Sequence, residues 1–596
     1  MRTASALMMI VGLGLVPAAL TNCRPRAAPN QASSAPLPSQ ASAPPSASAA
    51  GELTASAVDA MLRERWGKEG ITPASRVEDA RYLRRLSLDL RGVIPSPEEV
   101  EKFLADRGED RRLRAAEAML AGPRFAEHWT NYWERVLLGS KVRDAVVDRA
   151  AFRGWVSGKI GANTPWDELV RGLVTASGQN RPGGDDAKDV NGAVNWLLRY
   201  RDTPADLAGA TSRIFLGVQI QCAQCHDHKT EKWKTEDFRR LTACFLQTKG
   251  EVVDRDKNKR LIDVYDTERV VKGGPKVRAA MAEYVGAAPG GLDGSDFSGS
   301  PSRRKALADW MTAAQNPWFA RAIVNRMWGH FLGRGVVDPV DDFRDSNPPI
   351  FPELLDRLAA DFVAHRHDLK RLMLLLVSTE AYQLAPGPRG DKAAEGRLWA
   401  RFRMMPMGPD ELLDSLIAAT RIDALLARGN QDNLEQLKQQ TRGQFYRLFE
   451  VDEEDESDDF EGTIPQALLL LNGRLTNAGS MVVPGSAIHE VFTAPGDDAS
   501  KIRALYLRTL SREPDAEEVT RWKAFLEAPR DAVKTDPVPE AKAKGKGKKK
   551  QGQDPLVGLD RDRSLRGPLG PGAGRRQAYE DLLWALLNSS EFYFNH

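Results

Sequence analysis

Apolar residues recur at three and four positions along most of the chain from residue 55 onward, the period of a helix with one buried face. Ala57-Met61-Leu62-Trp66 and Tyr82-Leu83-Leu86-Leu90 are clear cases. Helix starts are legible in the same stretches. Ser96-Pro97-Glu98-Glu99 offers a Ser cap, Pro at the first helical position and Glu at the third, the pattern of a capping box. Thr164-Pro165-Trp166-Asp167 and Thr203-Pro204-Ala205-Asp206 repeat it with Asp in place of Glu, while Gly92 and Gly122 stand where helices should stop. Strand-like alternation is scarce, and Arg260 to Tyr265 is its best instance. The pattern predicts a mainly α protein: two helical domains after a signal peptide and a disordered tether.

The domains are expected at 53–250 and 301–596, divided by a linker at 251–300 that is charged and then Gly/Pro/Ser-rich. Two inserts interrupt the second. The acidic run 451–461 lacks the mid-loop Gly and ligand spacing of a calcium hand and reads as a solvated loop. Residues 537–572, with Lys542, Lys544, Lys546, Lys548, Lys549 and Lys550, read as a disordered basic loop.

The N-terminus predicts export. Arg2 precedes an apolar stretch, Ala6 to Leu20, too short and too Gly/Ala-rich for a spanning helix but suited to a signal peptide ending near residue 23. Leu20-Thr21-Asn22-Cys23 is similar to a bacterial lipoprotein box, in which Cys23 would be lipidated; Asn22 departs from the small residue usual there. The other reading is ordinary cleavage near Ala18-Ala19 with Cys23 a free thiol. Residues 24–52, almost wholly Ala, Pro, Ser, Gln and Asn, form the tether. The expected location is the cell envelope, in the periplasm or anchored to the outer membrane.

Composition changes this picture little. An apolar content of 42% suffices for packed cores, and a formal charge of +2 gives no signal of a nucleic-acid partner. Four cysteines in 596 residues make no disulfide framework, and thirteen tryptophans, several of them on helical patterns, predict core packing.

Chemistry concentrates at Cys222-Ala223-Gln224-Cys225-His226-Asp227-His228, which holds two of the four cysteines and two of the eight histidines. Cys-x-x-Cys-His is the attachment signature of c-type haem. Cys222 and Cys225 would form thioethers to the porphyrin vinyl groups, and His226 would ligate the iron. Met327 or His330 is a candidate distal ligand. A second reading is a structural zinc site built from Cys222, Cys225, His226 and His228, with Cys244 as a further ligand. A third is a disulfide or redox pair of Cys222 with Cys225. The motif should lie between a helix from Pro204 to about Gly217 and another capped at Thr235.

Two long stretches carry a family resemblance. Tyr82 to Gly92 with Ile94 to Glu99, Pro123-Arg124-Phe125-Ala126-Glu127-His128-Trp129, and Cys222 to His228 resemble the planctomycete-type cytochrome-associated domain, domain of unknown function fifteen-forty-nine. Asn316 to Trp328, Phe331 to Val337, Asp342 to Pro349, Gln466 to Gly473 and Leu587 to Phe592 are similar to its partner, domain of unknown function fifteen-fifty-three. The resemblance implies an exported protein that works beside cytochrome-type envelope proteins, and it assigns no catalytic residue.

The other polar positions read more plainly. Asn325, Arg326, His330 and Arg334 could line a cleft, but a helix surface bonding nearby loops accounts for them better. Asp341, Asp342 and Asp345 read as turn and cap residues before Pro348-Pro349, and His365 and His367 as a positive tip complementing a helix dipole. There is no Gly-rich phosphate loop, no Gly-x-Ser-x-Gly and no His-Glu-x-x-His.

Overall fold

The computed structural model describes residues 52–595 except 140–144, 184–189, 255–259, 270–281, 283, 388–395, 428–441, 443–444, 446–473 and 529–572. Cys23, the signal peptide, nearly all of the tether, both inserts and Gln466 to Gly473 lie outside the described residues. Within them the protein is mainly α, as the periodicity predicts. No described helix is long and apolar enough to cross a membrane.

Local signals set most helix ends. Ser96 accepts the Glu99 amide, and Glu99 accepts the Ser96 amide in return, with Pro97 opening the helix. Gly92 ends the Asp79–Arg91 helix at φ 66°, a left-handed turn. Gly122 ends one helix and opens the next in extended backbone instead. Two expected caps differ. Pro165, not Thr164, precedes Trp166–Val174. Lys234 precedes Thr235–Ala243, because the Asp237 carboxylate takes the Lys234 N–H and draws Thr235 into the first turn.

The strand expected at Arg260 to Tyr265 is Leu261–Asp266. It is the middle of a three-stranded antiparallel sheet, between Gly178–Gln179 and Thr248–Asp254, with Gly250 opposite Val264. A second, two-stranded ladder pairs Met405–Pro406 with Phe594–Asn595.

Two apolar cores form. The first runs from Leu53 to Phe402 with Leu507 added, and the second gathers Leu88, Val93 and Ile94 with residues from Met407 to Phe592. Trp66, Trp129, Trp133, Trp166, Trp196, Trp328 and Trp399 are fully buried, so the tryptophans do serve packing. The packing does not divide at 251–300, where a linker was expected. Ile262, Val264, Tyr284, Leu292 and Phe297 of that segment join the first core. Its glycines serve close approach: a Cβ on Gly290 would stand 2.3 Å from the Ser295 carbonyl oxygen, and one on Gly291 2.5 Å from the Trp310 ring. The packing divides between Phe402 and Met407, and the Asp79–Arg91 helix gives side chains to both cores.

Candidate functional site

Cys222 lies on a short 3-10 turn, Gln221–Gln224, with Cys225 directly after it. As expected, the turn sits between two helical segments. Pro204–Thr211 runs into a π turn, Ser212–Leu216, that ends at Gly217, and Thr235–Ala243 follows the motif. Residues i and i+3 of a 3-10 turn stack on one side, so the cysteine spacing suits the local geometry. Ala223 is fully buried and pins the turn to the core, while Cys222, Cys225 and His226 are exposed. All three described cysteines are free thiols.

The two histidines of the motif face different partners. His226 Nδ1 lies 2.8 Å from the Asp227 carbonyl oxygen. A carbonyl only accepts, so Nδ1 carries the proton and Nε2 keeps its lone pair. His228 is the reverse: its Nδ1 accepts the Thr230 and Glu231 amides at 3.3 and 3.1 Å. The neutral ring then carries its proton on Nε2. Asp227 accepts the Thr235 amide and pairs with Lys234, tying the motif to the following helix. Cys244 is fully buried, its thiol 3.5 Å from the Arg240 carbonyl and 3.9 Å from that of Gly290. Burial pushes its pKa up to about 12. Among the described residues no three His, Cys, Asp or Glu side chains gather as a metal would require.

The remaining sequence candidates disperse. Asn325 bonds Val337 and Val340, and Arg326 reaches Asp341, which also accepts from Arg213 and Gln219. Arg334 pairs with Asp338, Asp342 with Arg344, and Asp345 donates its amide to Glu231. These residues brace loops. His365 contacts Asp361, and His367 sits 3.3 Å from Asp167 against the Phe319 and Phe362 rings. Met327 is fully buried in the first core.

His330 behaves differently. It lines a half-open pocket of about 300 Å³, to which residues 222–228 contribute nothing. Asp89 comes to it from the Asp79–Arg91 helix, His128 and Arg135 from Pro123–Leu138, His330 from Phe319–Leu332, Glu411 from Pro409–Thr420, and Asn595 from the last strand. Burial lowers the His128 pKa to about 4, helped by Arg135, and that of His330 to about 3, helped by His128. The same burial raises Asp89 to about 7 against the pull of Tyr382 and Arg85, and raises Glu411. Sequence reasoning weighed only His330 among these as a site residue, with Asp89 and His128 entering only inside family motifs. An available signal was an ionisable residue inside an apolar run: Asp89 between Leu88 and Leu90, and His128 between Phe125 and Trp129.

Residues 57–250 match the family model PSCyt2, protein of unknown function (DUF1549), and residues 303–458 match PSD1, protein of unknown function (DUF1553). The chain is a PSCyt2–PSD1 protein. The PSCyt2 match contains Asp89, His128 and the Cys222 to His228 motif, and the PSD1 match contains His330 and Glu411. The cavity thus draws on both matched regions. Neither the curated proteins nor the solved structures gave a match.

Proposed function

We propose that this PSCyt2–PSD1 protein is exported to the cell envelope, binds haem c through Cys222 and Cys225 with His226 as axial ligand, and takes part in electron transfer or a haem-dependent redox step. Its partners in this reading are other exported or cytochrome-type envelope proteins. Lipidation at Cys23 would hold it to a membrane. The observation that carries the reading is the His226 ring. Its Nδ1–H is held by a backbone carbonyl, which orients the imidazole and leaves Nε2 free, the arrangement usual for a metal-ligating histidine.

The donor set fits haem c: two exposed thiols three residues apart and an adjacent imidazole with an open Nε2. When bound, the haem supplies one-electron chemistry at iron. The chain supplies the attachment points, the axial imidazole and its orientation. A helical scaffold with structural zinc is the alternative, and it is less well supported, because His228 spends its Nδ1 lone pair on two amides and Cys244 is engaged elsewhere.

Protein produced with the c-type maturation machinery tests this. We expect a haem-linked peptide containing Cys222 and Cys225, lost or altered in Cys222→Ala and Cys225→Ala. His226→Ala should change the absorption spectrum, and His228→Ala should leave it alone. A matured protein with no haem peptide, or one zinc per chain with His228→Ala as damaging as His226→Ala, overturns the reading.

A further inference from the structure

We propose that a second half-open pocket, between the end of the Asp79–Arg91 helix and the Asp498–Leu510 helix, binds a small organic monocarboxylate, its carboxylate on Arg508 and Arg421 and its hydrocarbon part on Val93, Ile94 and Ala418. The pocket has a volume of about 370 Å³, and residues 222–228 take no part in it. Four guanidiniums line it, those of Arg91, Arg124, Arg421 and Arg508. Three are engaged: Arg91 with Glu99 at 2.6 Å, Arg124 with Asp414 at 3.3 Å, and Arg421 with Glu490. Arg508 is the exception. Among the described residues its guanidinium makes no hydrogen bond and no ion pair. Its Nε is enclosed; its two terminal nitrogens are not, and they are the open end that the side chain brings to the pocket wall.

The carboxylates that act on Arg508, those of Glu490 and Glu98, are engaged elsewhere. Glu490 is held by Arg421, and Glu98 turns back on the Ser96 hydroxyl and its own amide. Arg421 meanwhile stands close enough to disfavour the Arg508 charge. Two neighbouring guanidiniums, one of them without a counter-ion, gain from an oxyanion shared between them. A carboxylate matches the planar fork of a guanidinium, and Arg421 keeps N–H groups to spare beyond its pair with Glu490. Charge and size then narrow the class. One unpaired cation calls for one negative charge, and the exposed Glu98 and Glu99 at the rim disfavour a second. Val93, Ile94 and the half-buried Ala418 give the pocket an apolar side, where a hydrocarbon body adds binding that a bare ion lacks. The volume lies at the small end of ligand pockets. The Pro97–Ala105 helix start in the same wall adds no anion site of its own, because Ser96 already takes the Glu99 amide.

The test is calorimetric titration of the full chain with benzoate and hexanoate, against benzamide and hexanamide as neutral twins and inorganic phosphate as a bare anion. We expect saturable binding of one carboxylate per chain, weakened by added salt, and no binding of either amide. Arg508→Gln should weaken it about tenfold or more, the loss of one charge-assisted pair. The same variant should not lower the melting temperature, since it removes no bond of the folded chain. Ala418→Leu, which fills the apolar side and leaves every charge in place, should weaken binding as well. None of these changes should alter haem content, so failure here is separable from failure of the haem reading. The proposal is overturned if neither carboxylate binds, if the amides bind as well as the acids, or if phosphate binds as tightly as either carboxylate. Unchanged affinity in Arg508→Gln overturns it too.

Discussion

His128 and Asp89 meet in one cavity wall and titrate in opposite senses. His128 has a folded pKa of about 4 against an ordinary 6.5. Between those values the unfolded chain holds a proton that the folded chain does not, so the stability tied to His128 is complete above pH 6.5 and is lost as pH falls toward 4. Asp89 has a folded pKa of about 7 against an ordinary 3.8. Here the folded chain holds the extra proton, so the stability tied to Asp89 is complete below 3.8 and is lost as pH rises toward 7. Denaturant melts across this range should separate the two. Relative to His128→Gln, the wild type should gain about 3 kcal/mol from pH 4 to 6.5; relative to Asp89→Asn, it should lose a similar amount from pH 4 to 7. Parallel curves for either pair would show that the group does not titrate as its burial implies. The one mark of either residue in the sequence is its apolar neighbours. A buried ionisable group is recognised by what surrounds it, and the walls around His128 come from helices hundreds of residues apart. The tautomers of His226 and His228 were hidden for a related reason: the spacing of the motif is sequence, but the backbone atom each ring meets is fold.

Elements were more legible, because caps are local. The Ser96 box and the Gly92 stop follow from neighbouring residues, whereas the stretch at 251–300, which lies between the two family matches, packs part of its length into the first core, because a Gly/Pro-rich stretch looks the same whether its glycines give freedom or close contact. Gly92 and Ser96 also differ in what they should cost. Ser96→Ala removes one cap and should destabilise by about 1 kcal/mol. Gly92→Ala forces a side chain into a left-handed turn, itself worth roughly 1–2 kcal/mol. It would also set a Cβ 2.3 Å from His128 Nδ1. Its total should therefore clearly exceed that of the cap variant. Urea midpoints measured side by side check the order, and a Gly92→Ala protein as stable as Ser96→Ala would mean that His128 moves freely.

At the scale of the molecule, the joint between the two cores is the Asp79–Arg91 helix, and the C-terminus closes it. Arg84 is fully buried and donates to the Thr509 and Phe592 carbonyls at 2.8 and 2.7 Å; Arg85, beside it, donates to the Tyr382 and Leu384 carbonyls in the first core. Arg84 and Phe592 are 508 positions apart, a pairing that helical periodicity cannot encode. Asn595 adds its bond to Asp89, and Met407 donates its amide to the Tyr593 carbonyl. Deleting residues 589–596 should therefore remove two carbonyls, those of Glu591 and Phe592, from a buried guanidinium and one donor from a buried carboxyl at once. We expect a loss of about 3 kcal/mol or more, since a buried charge stripped of partners is worse than none. The same reasoning predicts coupling. Arg84→Met should cost the full chain more than it costs the truncated one, where it removes a cation that has already lost a partner. Thermal or urea melts of the four proteins measure that difference directly. Additive effects would show that the C-terminal segment stabilises the chain without acting through Arg84.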